Sequence, residues 1–316
     1  MRKKSAHAGL SATTFHSGVH LEERQLEAAE RVCPLCLSEK PRSSVLRLQS
    51  GPDVELLSCE TCGGYSASRM PTPEALRDYY RDYYDDADQR ITFDLPQRLA
   101  LHIFRRAFPA ALPSRRIDLL DFGGGDAEIA RRIANDLLEA GAPSVHILLV
   151  DYNAEVRPSD SARISLERIE TLERVEKGAF DLIVASAILE HIPRPRRDLA
   201  SLFDALGPGG VFYARTPSVV PLLKLCGRFG IRWDFTFPGH VHDLGPRFWS
   251  TILSHLSLQG TIDVLDARPS LVETTLRNHP FRTVAAQLLK APWHLLGSSW
   301  GFVGGWEVFF QRRSSP

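Results

Sequence analysis

In "LLDFGGGDAEIARRI" an apolar run closes on three consecutive glycines, Gly123, Gly124 and Gly125, and a helix-like segment begins at once. This junction constrains the fold more than any other stretch. From Arg116 onward strands alternate with helices: "IDLLDF", helix "AEIARRIANDLLEAG", strand "VHILLVD", strand "FDLIVAS", helix "RRDLASLFDALG" and strand "GVFYAR". Continuous apolar strands separated by amphipathic helices predict an α/β fold, a parallel sheet covered on both faces. Ligands of such sheets lie beyond the carboxyl ends of the strands, at the switch point, and the glycine turn falls there.

The residues around the turn narrow the ligand. Gly123 and Gly125 let the backbone come close, and Gly124 removes one more Cβ from the approach. A dinucleotide fingerprint starting at Gly123 needs a glycine where Glu128 stands, and a phosphate loop needs Gly-Lys-Ser/Thr where "GGGDAE" offers acids. Asp126 and Glu128 repel a pyrophosphate at a helix start, so the expected ligand is positively charged near the turn. Asp151 ends the second strand, where a carboxylate can accept both hydroxyls of a ribose while Tyr152 covers an adenine face. The bland alternative for Asp151 is a helix cap or a solvated turn. An adenosine carrying a cation and no phosphate describes S-adenosylmethionine.

Upstream, four of the five cysteines form two Cys-x-x-Cys pairs, Cys33 with Cys36 and Cys59 with Cys62. Two tight turns with two thiolates each supply the corners of a tetrahedron, which predicts a structural Zn²⁺ in a small ribbon or knuckle. "VLRLQ" and "VELLS" between the pairs read as a two-stranded ribbon closed by "SGPD". Two disulfides or buried free thiols are the other readings, and Cys226 reads as a small core residue. "LEERQLEAAERV", from Leu21, carries a helical apolar period. After the knuckle, Tyr79, Tyr80, Tyr83 and Tyr84 repeat at helical spacing, and "FDLPQRLALHIFRRAFPAAL" reads as a second amphipathic helix.

These motifs together resemble the class I S-adenosylmethionine-dependent methyltransferases: "LLDFGGGDAEIA", "VDYN", "FDLIVASAILEHIP" and "LGPGGVFYARTP". The resemblance implies a Rossmann-like fold, a mostly parallel seven-stranded sheet, here preceded by the zinc ribbon. Asp121, Gly123 and Gly125 match the family's first motif, whereas Ala127 replaces its third glycine. It implies a cofactor set of Asp121, Gly123, Gly124, Gly125, Asp151, Tyr152 and Ser186. The opening from "CPLC" to "RDYYRDYY" is similar to bacterial methyltransferases that act on sugars, surface glycans and secondary metabolites, and implies that the tyrosine segment folds over cofactor or substrate. The deoxysugar members carry a further large C-terminal domain, so their substrate is not carried over.

The expected organisation is a disordered tail over 1–28, a zinc knuckle over 29–72 and a helical tyrosine-rich linker or lid over 73–113. The methyltransferase domain follows over 114–316, with an acceptor-site insertion over about 217–300. Candidate catalytic residues are His191, beyond the fourth core strand, and His240; either can serve as general base, and His191 can instead pack on its loop. His240, His242 and Asp243 can line the acceptor pocket or bind a metal. "TIDVLDAR" and "GWEVFFQRR" read as two edge strands, and the apolar stretch between them as a lid, a dimer surface or a contact with a lipid-linked acceptor.

Composition excludes some functions. Lys plus Arg equals Asp plus Glu at 38 each, so no global field draws the chain to nucleic acid. No apolar run is long enough to span a membrane, and the basic N-terminus lacks the apolar core of a secretory signal, which predicts a cytoplasmic protein. The expected acceptor is a small molecule or glycan, with a homodimer as one candidate assembly. The alternatives are an RNA or protein methyltransferase that reads its substrate with the knuckle, a nicotinamide oxidoreductase and a non-catalytic binding module.

Overall fold

The computed structural model describes residues 19–84, 94–110, 112–152, 161–231 and 235–314, with side chains of the first helix as far as Tyr80. Its N-terminal part is a small antiparallel sheet. Strands β1 (Ser43–Gln49) and β2 (Val54–Ser58) pair from Ser43↔Ser58 to Gln49↔Val54 around a turn in which Gly51 takes φ +61°. Strand β3 (Tyr65–Ala67) adds to β2.

The expected helix from Leu21 does not form. Only Glu23–Gln25 makes a 3-10 turn, while Leu21 and Leu26 are buried on the ribbon. The Gln49 amide replaces helical hydrogen bonds there: its Oε1 accepts from Leu21 N at 2.9 Å and its Nε2 donates to Leu21 O at 2.8 Å. Of the segment 1–28, residues 1–18 lie outside the described residues.

Helices α1 (Pro73–Tyr84) and α2 (Pro96–Ala107) lead into the main sheet, each opening on a proline whose missing N–H costs nothing in a first turn. Then follow β4 (Ile117–Phe122), α3 (Glu128–Glu139), β5 (Val145–Val150), β6 (Ile164–Ile169), β7 (Phe180–Ser186), α4 (Pro195–Ala205) and β8 (Leu206–Ser218). The chain continues through α5 (Val220–Arg228), β9 (His242–Asp243), α6 (Pro246–His255) and β10 (Ile262–Pro269). It closes with α7 (Pro280–Lys290), α8 (Trp293–Leu296) and β11 (Gly304–Arg312).

The seven-stranded sheet has the order β10-β11-β8-β7-β4-β5-β6. β4 to β8 are mutually parallel; β11 runs antiparallel to both of its neighbours, so β10 at the edge points the same way as β8. Alternate residues of each strand feed two cores. Leu120, Phe122, Leu148 and Phe212 meet α4 and α6 on one face, whereas Ile117, Leu119, Ile147 and Tyr213 meet α2 and α3 on the other. β6 had no sequence signal as a strand, because at the sheet's edge only Ile164 of "ISLERI" is fully buried.

The ribbon is not a bead on a string. β9 pairs with β3 through Tyr65↔Asp243 and Ser66↔His242, giving a four-stranded sheet β1-β2-β3-β9. Cys33, Leu35, Cys59 and Cys62 share one hydrophobic cluster with Phe248 and Trp249 of α6. Gly64 packs closely at that contact, and a Cβ there would lie 2.5 Å from Leu35 Cδ1, so that the buried Leu35 side chain would have to shift. Among the described residues no helix is long and apolar enough to cross a membrane.

Candidate active site

β4 and β5 deliver Asp121 and Asp151 to the same end of the sheet, at the switch between β4 and β7. The glycine turn is held between them. Asp151 Oδ2 accepts from Gly125 N at 2.8 Å, and Gly123 N donates to Val150 O at 2.9 Å. Gly123 and Gly125 take φ +71° and +60°, a region that favours glycine. Ala127, in the place of the family's third glycine, takes φ +62° as the N-cap of α3.

Gly124 packs directly on Asp121: a Cβ there would lie 2.1 Å from Asp121 Oδ2. At Gly125 a Cβ would meet nothing within 4 Å, so the turn opens onto space at that point. Asp121 is buried, its Oδ2 has no hydrogen-bond partner, and burial, reinforced by Asp151 and Asp126, pushes its carboxyl up to about 7. The backbone of Asp151 and Tyr152 is fixed by Arg168, which donates to both carbonyls, while the Tyr152 ring is 84% exposed. Ser186, at the end of β7, accepts from Arg215 Nε at 3.2 Å.

The residues present fit S-adenosylmethionine. Close backbone at Gly125 and two carboxylates around the turn suit an adenosine with a cationic tail, and nothing on the turn is arranged to bind phosphate.

An imidazole pair follows Ile188, whose side chain packs on Gly123 of the turn and whose carbonyl accepts from His191 N at 3.0 Å. His191 closes the 3-10 turn Leu189–His191, and His240 comes from the insertion after β8, the ring centroids lying 4.8 Å apart. His191 Nδ1 donates to Gly239 O at 2.7 Å, a carbonyl that also accepts from Tyr80 of α1 at 3.4 Å. Thr236 donates its hydroxyl proton to Phe235 O, so its Oγ1 accepts from His240 Nδ1 at 2.8 Å. Both rings thus carry their proton on Nδ1 and present Nε2 as the basic nitrogen. His191 Nε2 is 3.9 Å from Glu190 Oε1. Glu190, His191 and His240 place their ligand atoms within 4.8 Å of one another, a grouping that can take a proton or a cation.

Glu190 was not a sequence candidate. Burial pushes its carboxyl up to about 8, and its Oε2 has no hydrogen-bond partner. Arg215, also missed, is buried and forms an ion pair with Glu273. A charged residue inside the apolar run "GVFYAR" was the signal for it.

His242 and Asp243 do not line the pocket as expected. His242 Nε2 donates to Ile192 O and Pro193 O, at 2.9 and 3.2 Å, and burial pushes its pKa down to about 4. Asp243 Oδ2 accepts from Val219 N and Val220 N, at 2.6 and 2.9 Å, capping α5. Both are fully buried, and because β9 begins only at His242, His240 stands outside the strand and does not share its face. The tyrosine stripe places Tyr80 against His191 at 6.1 Å, whereas the side chains of Tyr83 and Tyr84 lie outside the described residues.

The four cysteine sulfurs gather at one point. Cys33 and Cys62 sulfurs are 3.9 Å apart, and those of Cys36 and Cys59 3.7 Å. A disulfide needs about 2.05 Å, whereas a tetrahedral Zn²⁺ with bonds of about 2.3 Å sets its sulfurs about 3.8 Å apart. Backbone N–H groups of Leu35 and Cys36 face Cys33, and that of Gly64 faces Cys62. Hydrogen bonding to Cys62 pulls the Cys33 thiol down to about 5, while the same contact drives Cys62 up. Such crowded thiols ionise together only around a cation.

Residues 90–258 match the family model of the methyltransferase domain. The chain belongs to that methyltransferase family. The match begins after the cysteine quartet and ends before β10. A ubiquinone biosynthesis O-methyltransferase from Caulobacter vibrioides is 26% identical over 164 residues, 49% of this chain and 62% of that protein. Its counterpart from Nitrosococcus oceani is 30% identical over 144 residues, 42% of this chain and 57% of that protein. The chain thus spans about three fifths of the length of these curated relatives. A solved S-adenosylmethionine-dependent methyltransferase from Mesorhizobium loti aligns with a TM-score of 0.42 and 18% identity, covering 69% of this chain and 99% of that one.

Proposed function

We propose that this methyltransferase-family chain transfers the methyl group of S-adenosylmethionine to a small-molecule acceptor, with glycans and sugar derivatives included in that class. The observation that carries the reading is the acid-lined glycine turn, fastened by Asp151 at 2.8 Å from Gly125 N and backed by Asp121, whose buried Oδ2 has no hydrogen-bond partner. The curated relatives act in ubiquinone biosynthesis, which supports a small-molecule acceptor.

When bound, the cofactor supplies a methyl group on a sulfonium, open to in-line displacement. The protein's part is alignment and proton removal. Asp151 orients the ribose, Tyr152 covers the adenine, and Asp121, Gly123, Gly124, Gly125 and Ser186 form the floor. His191 or His240 takes the acceptor proton on Nε2, with the Glu190 carboxyl 3.9 Å from His191 Nε2. In this reading residues 29–72 are a zinc-bound platform, with Cys33, Cys36, Cys59 and Cys62 as ligands. Residues 73–113 cover the site, 114–316 form the catalytic domain, and about 217–300 supply the acceptor wall.

Calorimetric titration with S-adenosylhomocysteine tests the reading, with NADH as control. Micromolar one-to-one binding of the first alone is expected, weakened about tenfold or more in Asp151→Ala titrated well below its melting temperature. Unchanged binding by Asp151→Ala would remove the site assignment.

A further inference from the structure

A cavity of about 370 Å³ lies between α2, the end of β10 and α7–α8, within the size range of small-molecule sites. Arg98, His102, Arg106, Arg268, Lys290 and Glu307 line it. Its charges do not balance. Asp266 pairs with both Arg106 and Arg268. Glu307, fully buried, accepts from His102 Nε2 at 2.7 Å and from Tyr213 OH at 3.3 Å. An arginine only donates, so the 3.1 Å contact from Arg106 Nη1 to His102 Nδ1 makes that ring nitrogen an acceptor and His102 neutral.

Arg98 and Lys290 are left without a carboxylate partner among the described residues. Lys290 Nζ instead donates to the backbone and hydroxyl oxygens of Ser270, and burial pushes its ammonium down to about 8. Arg268 Nε is buried with no acceptor. Among the described residues four cations therefore face two carboxylates around one small cavity, and confining that surplus is unfavourable unless an anion enters. The loop that carries Ser270 also carries Glu273, which pairs with Arg215 beside Ser186, so one loop contributes to both this cavity and the candidate active site.

We propose that this cavity binds the phosphate or diphosphate of a phosphorylated small molecule, with Arg98 gripping two oxygens through its planar fork and Lys290 a third. It deepens the methyl-transfer reading by giving the acceptor a phosphate handle, and it rests on that reading only for calling the ligand the acceptor.

The test is calorimetry on the full chain with pyrophosphate, inorganic phosphate and uridine diphosphate, at fixed ionic strength, for the native protein, Arg98→Gln and Lys290→Met. S-adenosylhomocysteine is titrated in parallel. Saturable one-to-one pyrophosphate binding is expected, weakened about tenfold or more in each variant while S-adenosylhomocysteine affinity stays within about twofold. Tighter binding of uridine diphosphate than of pyrophosphate would assign a nucleotide-linked ligand, and the reverse a simple phosphate ester. No saturable anion binding by the native protein, binding by both variants as tight as by the native protein, or joint loss of both ligands would overturn a separate phosphate site. Anion binding without S-adenosylhomocysteine binding would keep this site and sink the methyl-transfer reading instead.

Discussion

Gly124→Ala puts the candidate cofactor turn under direct stress. The new Cβ would lie 2.1 Å from Asp121 Oδ2, 2.2 Å from its Cγ and 2.6 Å from Oδ1, and real Cβ contacts essentially never fall below 3.0 Å. Relief therefore demands a displacement of 0.9 Å, from 2.1 to 3.0 Å. Neither side yields easily, because Asp121 is buried at the end of β4 and the turn is tied to Val150 O and Asp151. Overpacking of this kind costs roughly 1–3 kcal/mol, or a melting temperature lower by roughly 2–5 °C in a chain of this size. Strain of that size at the turn proposed to receive the cofactor lowers S-adenosylhomocysteine affinity by about tenfold or more, tenfold being about 1.4 kcal/mol. Gly227→Ala, in α5 with nothing within 4 Å of its Cβ, is the control and stabilises by roughly 0.5–1 kcal/mol. Scanning calorimetry and titration read both effects. If Gly124→Ala melted and bound like the native protein, the close approach would be harmless and the turn would not be the cofactor floor.

Elemental analysis should find one zinc per chain. Because the cysteines share a core cluster with α6, chelation should lower the main melting transition by roughly 10 °C rather than add a separate small one. Glu190→Gln should stabilise selectively at high pH: a carboxyl raised by burial from 4.5 to about 8 gives stability fully present below about 4.5 and lost as pH rises through about 8. The stake is on the order of 4 kcal/mol, so the variant should out-melt the native protein by about 5 °C at pH 9 and match it near pH 5; equal curves at both would contradict the burial argument. Asp243→Ala strands the N–H groups of Val219 and Val220 and should cost roughly 2–4 kcal/mol in urea unfolding, with Asp243→Asn much milder. Comparable loss in both variants would mean that the cap is not what Asp243 provides.

Legibility in the sequence tracked burial on two faces. "IDLLDF" and "FDLIVAS" coincide with β4 and β7 because central parallel strands are apolar throughout. "ISLERI" escaped because an edge strand alternates with charge, and "YSA" escaped because β3 is too short to show a period. The apparent helix at Leu21 failed because its two buried leucines are anchored by Gln49, from a different strand, in an extended backbone. In the site, Asp121, Asp151 and the glycines announced themselves by spacing, whereas Glu190 gave no sign beyond its place beside His191.

The sequence alone determined the α/β order, the glycine turn with its acids and the metal-capable cysteine quartet, since each follows from residues close together in the chain. Tertiary structure decided what no local pattern encodes. It chose that His240 faces His191 while His242 braces the loop, and that β9 ties the ribbon to the core. It also brought Arg98 and Lys290, almost two hundred positions apart, to one cavity. These outcomes depend on which strands become neighbours and on which charges are left without partners, properties that exist only once the sheet has closed its order.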